Sequence, residues 1–172
     1  MRAPSRRPSF RPAILALLGA LFWAGSAAAA CNDAAAPAVD WRRCLLDGRD
    51  FERADLSGAV LRDASLSRAK LTGALLPRVE APNSRFVSAD LEGADLSDGQ
   101  FRDADFTRAT LRRVKLLRAD LRRAKFFRAD LSGADLTGAS LDGADLSSAV
   151  LDGARWTDGE RVCATGSLGV CQ

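Results

Sequence analysis

The sequence contains no histidine, no tyrosine and a single methionine. Without an imidazole, acid–base chemistry at neutral pH would fall on Asp, Glu, Lys or Cys alone. Zinc sites of the mixed Cys/His kind are excluded. An all-cysteine site would have to gather Cys31, Cys44, Cys163 and Cys171 from opposite ends of the chain. There is also no phosphate-cradling glycine loop and no nucleophile–base–acid set. These absences point to a protein that is not an enzyme and needs neither metal nor cofactor.

Residues 1–30 read differently from the rest. Arg2, Arg6, Arg7 and Arg11 form a basic head without an acidic residue, an apolar run from Ala13 to Trp23 follows, and small residues Ala27 to Ala30 close the segment. That order predicts a secretory signal peptide cleaved near Ala30, with an apolar part too short for a membrane span. Ser5-Arg6-Arg7 only loosely matches a twin-arginine signal, so the general secretory route is expected. The predicted address is the bacterial periplasm or the outside.

Cleavage changes the charge argument. The whole chain has 25 Lys plus Arg against 22 Asp plus Glu. Four of those cations leave with residues 1–30, giving a mature chain of formal charge −1 and removing any argument for specific nucleic-acid binding. Four cysteines in an exported chain predict disulfides, and neighbour pairing would close one short loop at each end. A second reading exists for Cys31. Ala28-Ala29-Ala30-Cys31 loosely matches a lipoprotein signal, which would anchor the chain to the outer membrane through a lipid on Cys31 and leave Cys44 without its near partner.

Every fifth residue from Trp41 to Trp156 forms a column of 24 positions, of which 23 are large and apolar, with Ala81 the exception. Two places before each centre, 17 of 24 residues are Ala. A period of five fits neither a helix, around which the column would spread, nor a flat strand, on which it would alternate faces. Both conflicts vanish if the chain turns a corner once per repeat, with the centre and the residue two before it pointing inward and the next two forming the turn. The Asp residues just before the centres, Asp55, Asp90, Asp95, Asp105, Asp120, Asp130, Asp135 and Asp145, are then expected to be solvated or to bond the local backbone at the edge of each side.

Blocks such as Ala54-Asp55-Leu56-Ser57-Gly58 and Ala129-Asp130-Leu131-Ser132-Gly133 resemble the pentapeptide-repeat family. The resemblance implies an all-β, right-handed, four-sided β-helix of about six coils over residues 39–158. A cap segment at 31–38 would precede it and a disulfide cap at 159–172 would follow. Phe86, Phe106 and Phe126, 20 residues apart, should stack in one ladder. Pro77, Ala81 and Pro82 suggest a distorted or bulged third coil, and Arg49 an imperfect first turn.

The expected function is that of an exported, non-enzymatic scaffold for protein interaction or envelope structure. A rival, drawn from the family's quinolone-resistance members, is a cytosolic DNA mimic that protects a type II topoisomerase. The predicted leader and the mature charge argue against it. For binding, the band from Arg102 to Arg128 stands out: Arg102, Arg108, Arg112, Arg113, Lys115, Arg118, Arg122, Arg123, Lys125 and Arg128 face only Asp103, Asp105 and Asp120, a local charge of +7, and Phe127 adds an outward aromatic. The expected partner is another protein or an anionic envelope component. Self-association into a homodimer stays open, and membrane attachment would follow only from a lipid on Cys31.

Overall fold

The computed structural model describes residues 31–172, so the predicted leader lies outside the described residues. From Asp40↔Val60 to Asp135↔Arg155, 20 parallel backbone bridges join each fifth residue to the one 20 places further on. Four corners therefore complete a turn, and the 24 bridge residues stack into six levels on each of four sides. We number the sides from the one containing Trp41, and the levels from the N-terminal end.

Each repeat is fixed by where its amides go. The N–H of the centre and of the residue two after it bond carbonyls of the next level, as in Trp41 to Val60 and Arg43 to Arg62. The residue three after the centre closes a turn back onto it, as Ala54 does on Phe51, and the next N–H bonds the level below. The residue after the centre has no backbone partner for its N–H, and the preceding Asp supplies one. Asp55, Asp90, Asp95, Asp105, Asp120, Asp130, Asp135 and Asp145 each accept the N–H two residues on. The repeating Asp is thus a backbone cap.

The second turn residue adopts a left-handed φ of 53° to 71° at every corner from Arg43 to Gly153. Glycine does so freely, whereas each arginine placed there costs about 1 kcal/mol. Nine arginines accept that conformation, among them Arg108 and Arg128, because the same geometry aims their N–H at the next level.

Three expectations are corrected. The sides carry single bridge residues, and no longer strand forms among the described residues. Each side is extended for only about three residues before the turn begins, too few for a ladder along it. The third coil is not bulged either, since Val60↔Glu80, Leu75↔Asp95 and Glu80↔Gln100 pair in register. Pro77 and Pro82 stand where the backbone needs no N–H and where a turn favours their fixed φ. Ala81 stays buried. The Phe101 ring, one level above, touches Phe106 on its own level and Phe86 on the level of Ala81. Arg49 is likewise not a flaw: it turns out over the Phe51 ring and donates to the Cys31 carbonyl, tying the cap segment to the first coil.

The Phe86, Phe106 and Phe126 rings do stack, with centroids 5.0 and 5.1 Å apart. At the ends, Cys31 is bonded to Cys44 and Cys163 to Cys171. The Cys31 sulfur is therefore occupied, and the lipid-anchored reading does not fit this covalent structure. Beyond Trp156 the chain turns back and lies antiparallel on the last coil through Arg155↔Val162 and Val150↔Leu168.

Candidate functional surface

The solenoid spaces side chains by 20 residues along each corner, and this sorts the basic band. Arg102, Arg122 and Arg123 lie on the first corner. Lys125, Phe127, Arg108 and Arg128 belong to the second side and its corner, Arg112 and Arg113 to the third corner, and Lys115 and Arg118 to the fourth side and corner. The band is a belt around levels four and five, not one face.

Most of the belt is neutralised, by its own Asp103 and Asp120 and by Asp98, Asp130 and Glu92 from outside the band. Arg118 grips Asp98 through two bonds of 2.7 and 2.8 Å, and Arg123 grips Asp103 through two of 2.8 and 2.6 Å. Asp120 sits between Arg102 at 3.4 Å and Arg122 at 2.6 Å, so the two stacked arginines share one counter-charge. Arg112 pairs with Asp130 and Arg113 with Glu92. Lys115 stands between Asp95 and Asp135 in its ladder, and Lys125 between Asp105 and Asp145.

These pairs leave a signature in titration. The hydrogen bond from Arg118 holds the Asp98 carboxyl below its ordinary value of 3.8, and that from Arg123 does the same for Asp103. A depressed folded value means that the pairs stabilise the fold fully above the unfolded carboxylate range and lose that contribution as pH falls through the folded value. Thermal stability is therefore expected to be level from neutral pH down to about pH 5 and to fall below about pH 4. The double variant Asp98→Asn and Asp103→Asn should show a shallower acid limb in melts followed by circular dichroism; an unchanged limb would contradict the pairing.

Counting each side with its corner separates the four surfaces. The first holds six cations and six carboxylates, the third five against six, and the fourth four against five. The second alone is positive: Arg68, Arg85, Arg108, Lys125 and Arg128 stand against Asp47, Asp105 and Asp145. None of those five cations forms an ion pair among the described residues. Arg68, Arg108 and Arg128 share one corner column without a carboxylate, and Arg128 lies over the half-exposed Phe127 ring at 5.0 Å. Sequence inspection missed Arg68 and Arg85. The 20-residue interval from Arg108 to Arg128, extended back past Ser88 to Arg68, is the signal that finds the column.

The depressions on the rod lie elsewhere. Pro82 interrupts the arginine column of the first corner and leaves an open hollow of about 360 Å³ lined by Arg62, Asn83, Gln100, Arg102, Asp103 and Asp120. A neighbouring one of about 220 Å³ is lined by Arg102, Arg122, Arg123 and Asp142. Both mix opposite charges, and the arginines that line them are held by Glu80, Asp103 and Asp120. Among the described residues no Cys, Asp and Glu side chains converge as a metal site would require.

A family profile described as pentapeptide repeats matches eight copies over residues 42–76 and, in overlapping segments, 84–155. Among solved structures, the chain is similar to HetL, a pentapeptide repeat protein involved in heterocyst differentiation regulation in the cyanobacterium Nostoc. The two are 28% identical over 70% of this chain and 73% of that one, with a TM-score of 0.37. Rfr23 from the cyanobacterium Cyanothece is 22% identical over 68% and 90%, again with a TM-score of 0.37. QnrB1, a plasmid-mediated fluoroquinolone resistance protein, is 20% identical over 74% and 85%, with a TM-score of 0.28. No curated protein matches the chain. With the profile covering well over half of its residues, and with the 20-residue bridge register, the chain belongs to the pentapeptide repeat family.

Proposed function

We propose that this protein is an exported, non-enzymatic interaction scaffold whose second side docks an acidic protein or an anionic envelope surface. One observation carries the reading: three sides of the rod balance or exceed their cations with carboxylates, whereas the second alone is net positive, with Arg68, Arg108 and Arg128 in one corner column that holds no carboxylate. At about 4.8 Å per level, Arg108 and Arg128 repel by about 1 kcal/mol even in water. An anionic ligand relieves that repulsion, and an Arg–aromatic pair such as Arg128 with Phe127 is the usual content of a binding hot spot. Export is supported by the basic, apolar and small-residue order of residues 1–30 and by the two closed disulfides.

The test separates docking from folding. Reversing Arg122 and Arg123 would place acids against Asp120 and Asp103 and disturb the rod itself. The variant Arg108→Glu with Arg128→Glu breaks no ion pair. It should keep the wild-type melting curve while losing about tenfold or more of the retention on anionic vesicles or acidic protein at low salt. Equal retention by wild type and variant would overturn the docking side. Fractionation tests the address separately: uncleaved protein in the cytosol, with cysteines that alkylate without reductant, would overturn export and revive the topoisomerase-protecting reading.

A further inference from the structure

The C-terminal end of the rod is covered over only half its area. On the third side Leu151 donates to Ser167 and Gly169 donates to Ala149; on the fourth, Trp156 donates to Arg161 and Cys163 donates to Ala154. The chain's own tail thus lies antiparallel across two of the four edges. On the first and second sides no backbone pairing takes that place among the described residues, although Gly169 lies against the second corner at Leu146 and Ser148. The N–H groups of Leu141, Gly143 and Leu146 and the carbonyls of Ala139 and Ala144, whose counterparts on every lower level bond the next coil, have no partner among the described residues. Leu141, Ala144 and Leu146 are correspondingly half-exposed, whereas the centres from Trp41 to Leu136 are buried.

We infer that this open edge docks an extended segment of a partner protein, added antiparallel as the chain's own tail is added beside it. Three observations identify the occupant. An acceptor at Ala139 and a donor at Leu141 repeat the pattern of Ala149 and Leu151, which an antiparallel segment satisfies on the neighbouring side. The partly exposed Leu141 and Leu146 ask for apolar side chains facing the core, and strand addition to a free edge supplies both kinds of contact. From Ser140 to Gln172 the chain carries five carboxylates against Arg155 and Arg161, which selects a segment with basic flanks. A second copy would bring the same acidic end against this edge, whereas a segment with basic flanks complements its charge.

Hydrogen exchange on the full mature chain tests the inference. The probes are two short acetylated peptides of alternating Val and Thr, one ending in Lys at both ends and the other in Glu. In the free protein the Leu141 and Leu146 amides should exchange rapidly while Leu151 and Trp156 are protected. The Lys peptide should slow Leu141 and Leu146 by about tenfold or more in a saturable manner. Asp142→Lys, with exchange at Phe106 unchanged, should weaken that effect and favour the Glu peptide. Failure of the Lys peptide to protect either amide, equal protection by both peptides on the wild type, or protection confined to the second side would each overturn the proposal.

Discussion

Phe106→Ala is expected to lower the stability of the solenoid by about 4 kcal/mol, the cost of removing a buried ring and leaving its cavity. The Phe106 ring is fully buried and stacked between Phe86 and Phe126 with interplanar angles of 5° and 2°, and the Phe101 edge meets it at 5.6 Å. Truncation therefore empties two interfaces between levels at once. In a solenoid each level touches only its neighbours, so the loss stays local. Urea unfolding should report the drop, and hydrogen exchange should place it at levels three to five while the N-terminal coils keep their protection. Phe106→Leu is the control, because Leu46 and Leu66 occupy the same column, and it should cost no more than about 1.5 kcal/mol. An alanine variant within 1 kcal/mol of wild type would show that the ring ladder does not hold the coils together.

A methyl group in the wrong place should do nearly as much damage. A Cβ at Gly99 would come 2.4 Å from the Phe101 ring and 3.0 Å from the Leu96 carbonyl. Gly99→Ala must therefore push the ring off its rotamer or shift the backbone, at about 2 to 3 kcal/mol. With Phe101→Leu in the same chain, the alanine should cost about 1 kcal/mol or less, since the ring edge it strikes is gone. A double-mutant cycle with no coupling would mean that the Leu96 carbonyl, and not the ring, fixes glycine at this place. Gly99 belongs to the column that is otherwise mostly Ala. The exception follows from its neighbour two places on, because Phe101 reaches down toward the level where Ala81 leaves space.

The period of five, the inward Leu, Phe and Ala columns, the Asp caps and the neighbour pairing of Cys31 with Cys44 and Cys163 with Cys171 were all legible in the residues. They are local: each depends on contacts within one repeat, or on cysteines close in the chain, and the repetition of a pattern reports them many times over. The meaning of Pro77 and Pro82 was legible only in part. Read as corner residues they suggested distortion, and the conserved register became apparent only when the amide they lack proved to be the one amide without a backbone partner.

The surface was decided by tertiary structure. A run of ten cations between Arg102 and Arg128 is a single feature along the sequence, yet five residues carry the chain around a corner, so neighbours in that run point in different directions. Arg122 excepted, their charge partners lie 18 to 21 residues away, which is how Asp98, Asp130 and Glu92 come to neutralise Arg118, Arg112 and Arg113. The same geometry gathers Arg68, Arg85, Arg108, Lys125 and Arg128 on one side, although they span 61 positions of the chain. The open edge at Leu141 and Leu146 was also beyond the sequence, for whether the tail covers two sides or four depends on where it lies after Trp156. The repeat alone determined the coil, because its hydrogen bonds and core contacts recur at fixed intervals. Which charges remain unpaired and which edge remains uncovered followed only from the stacking of levels, because those properties belong to pairs of residues that the chain brings together a full turn apart.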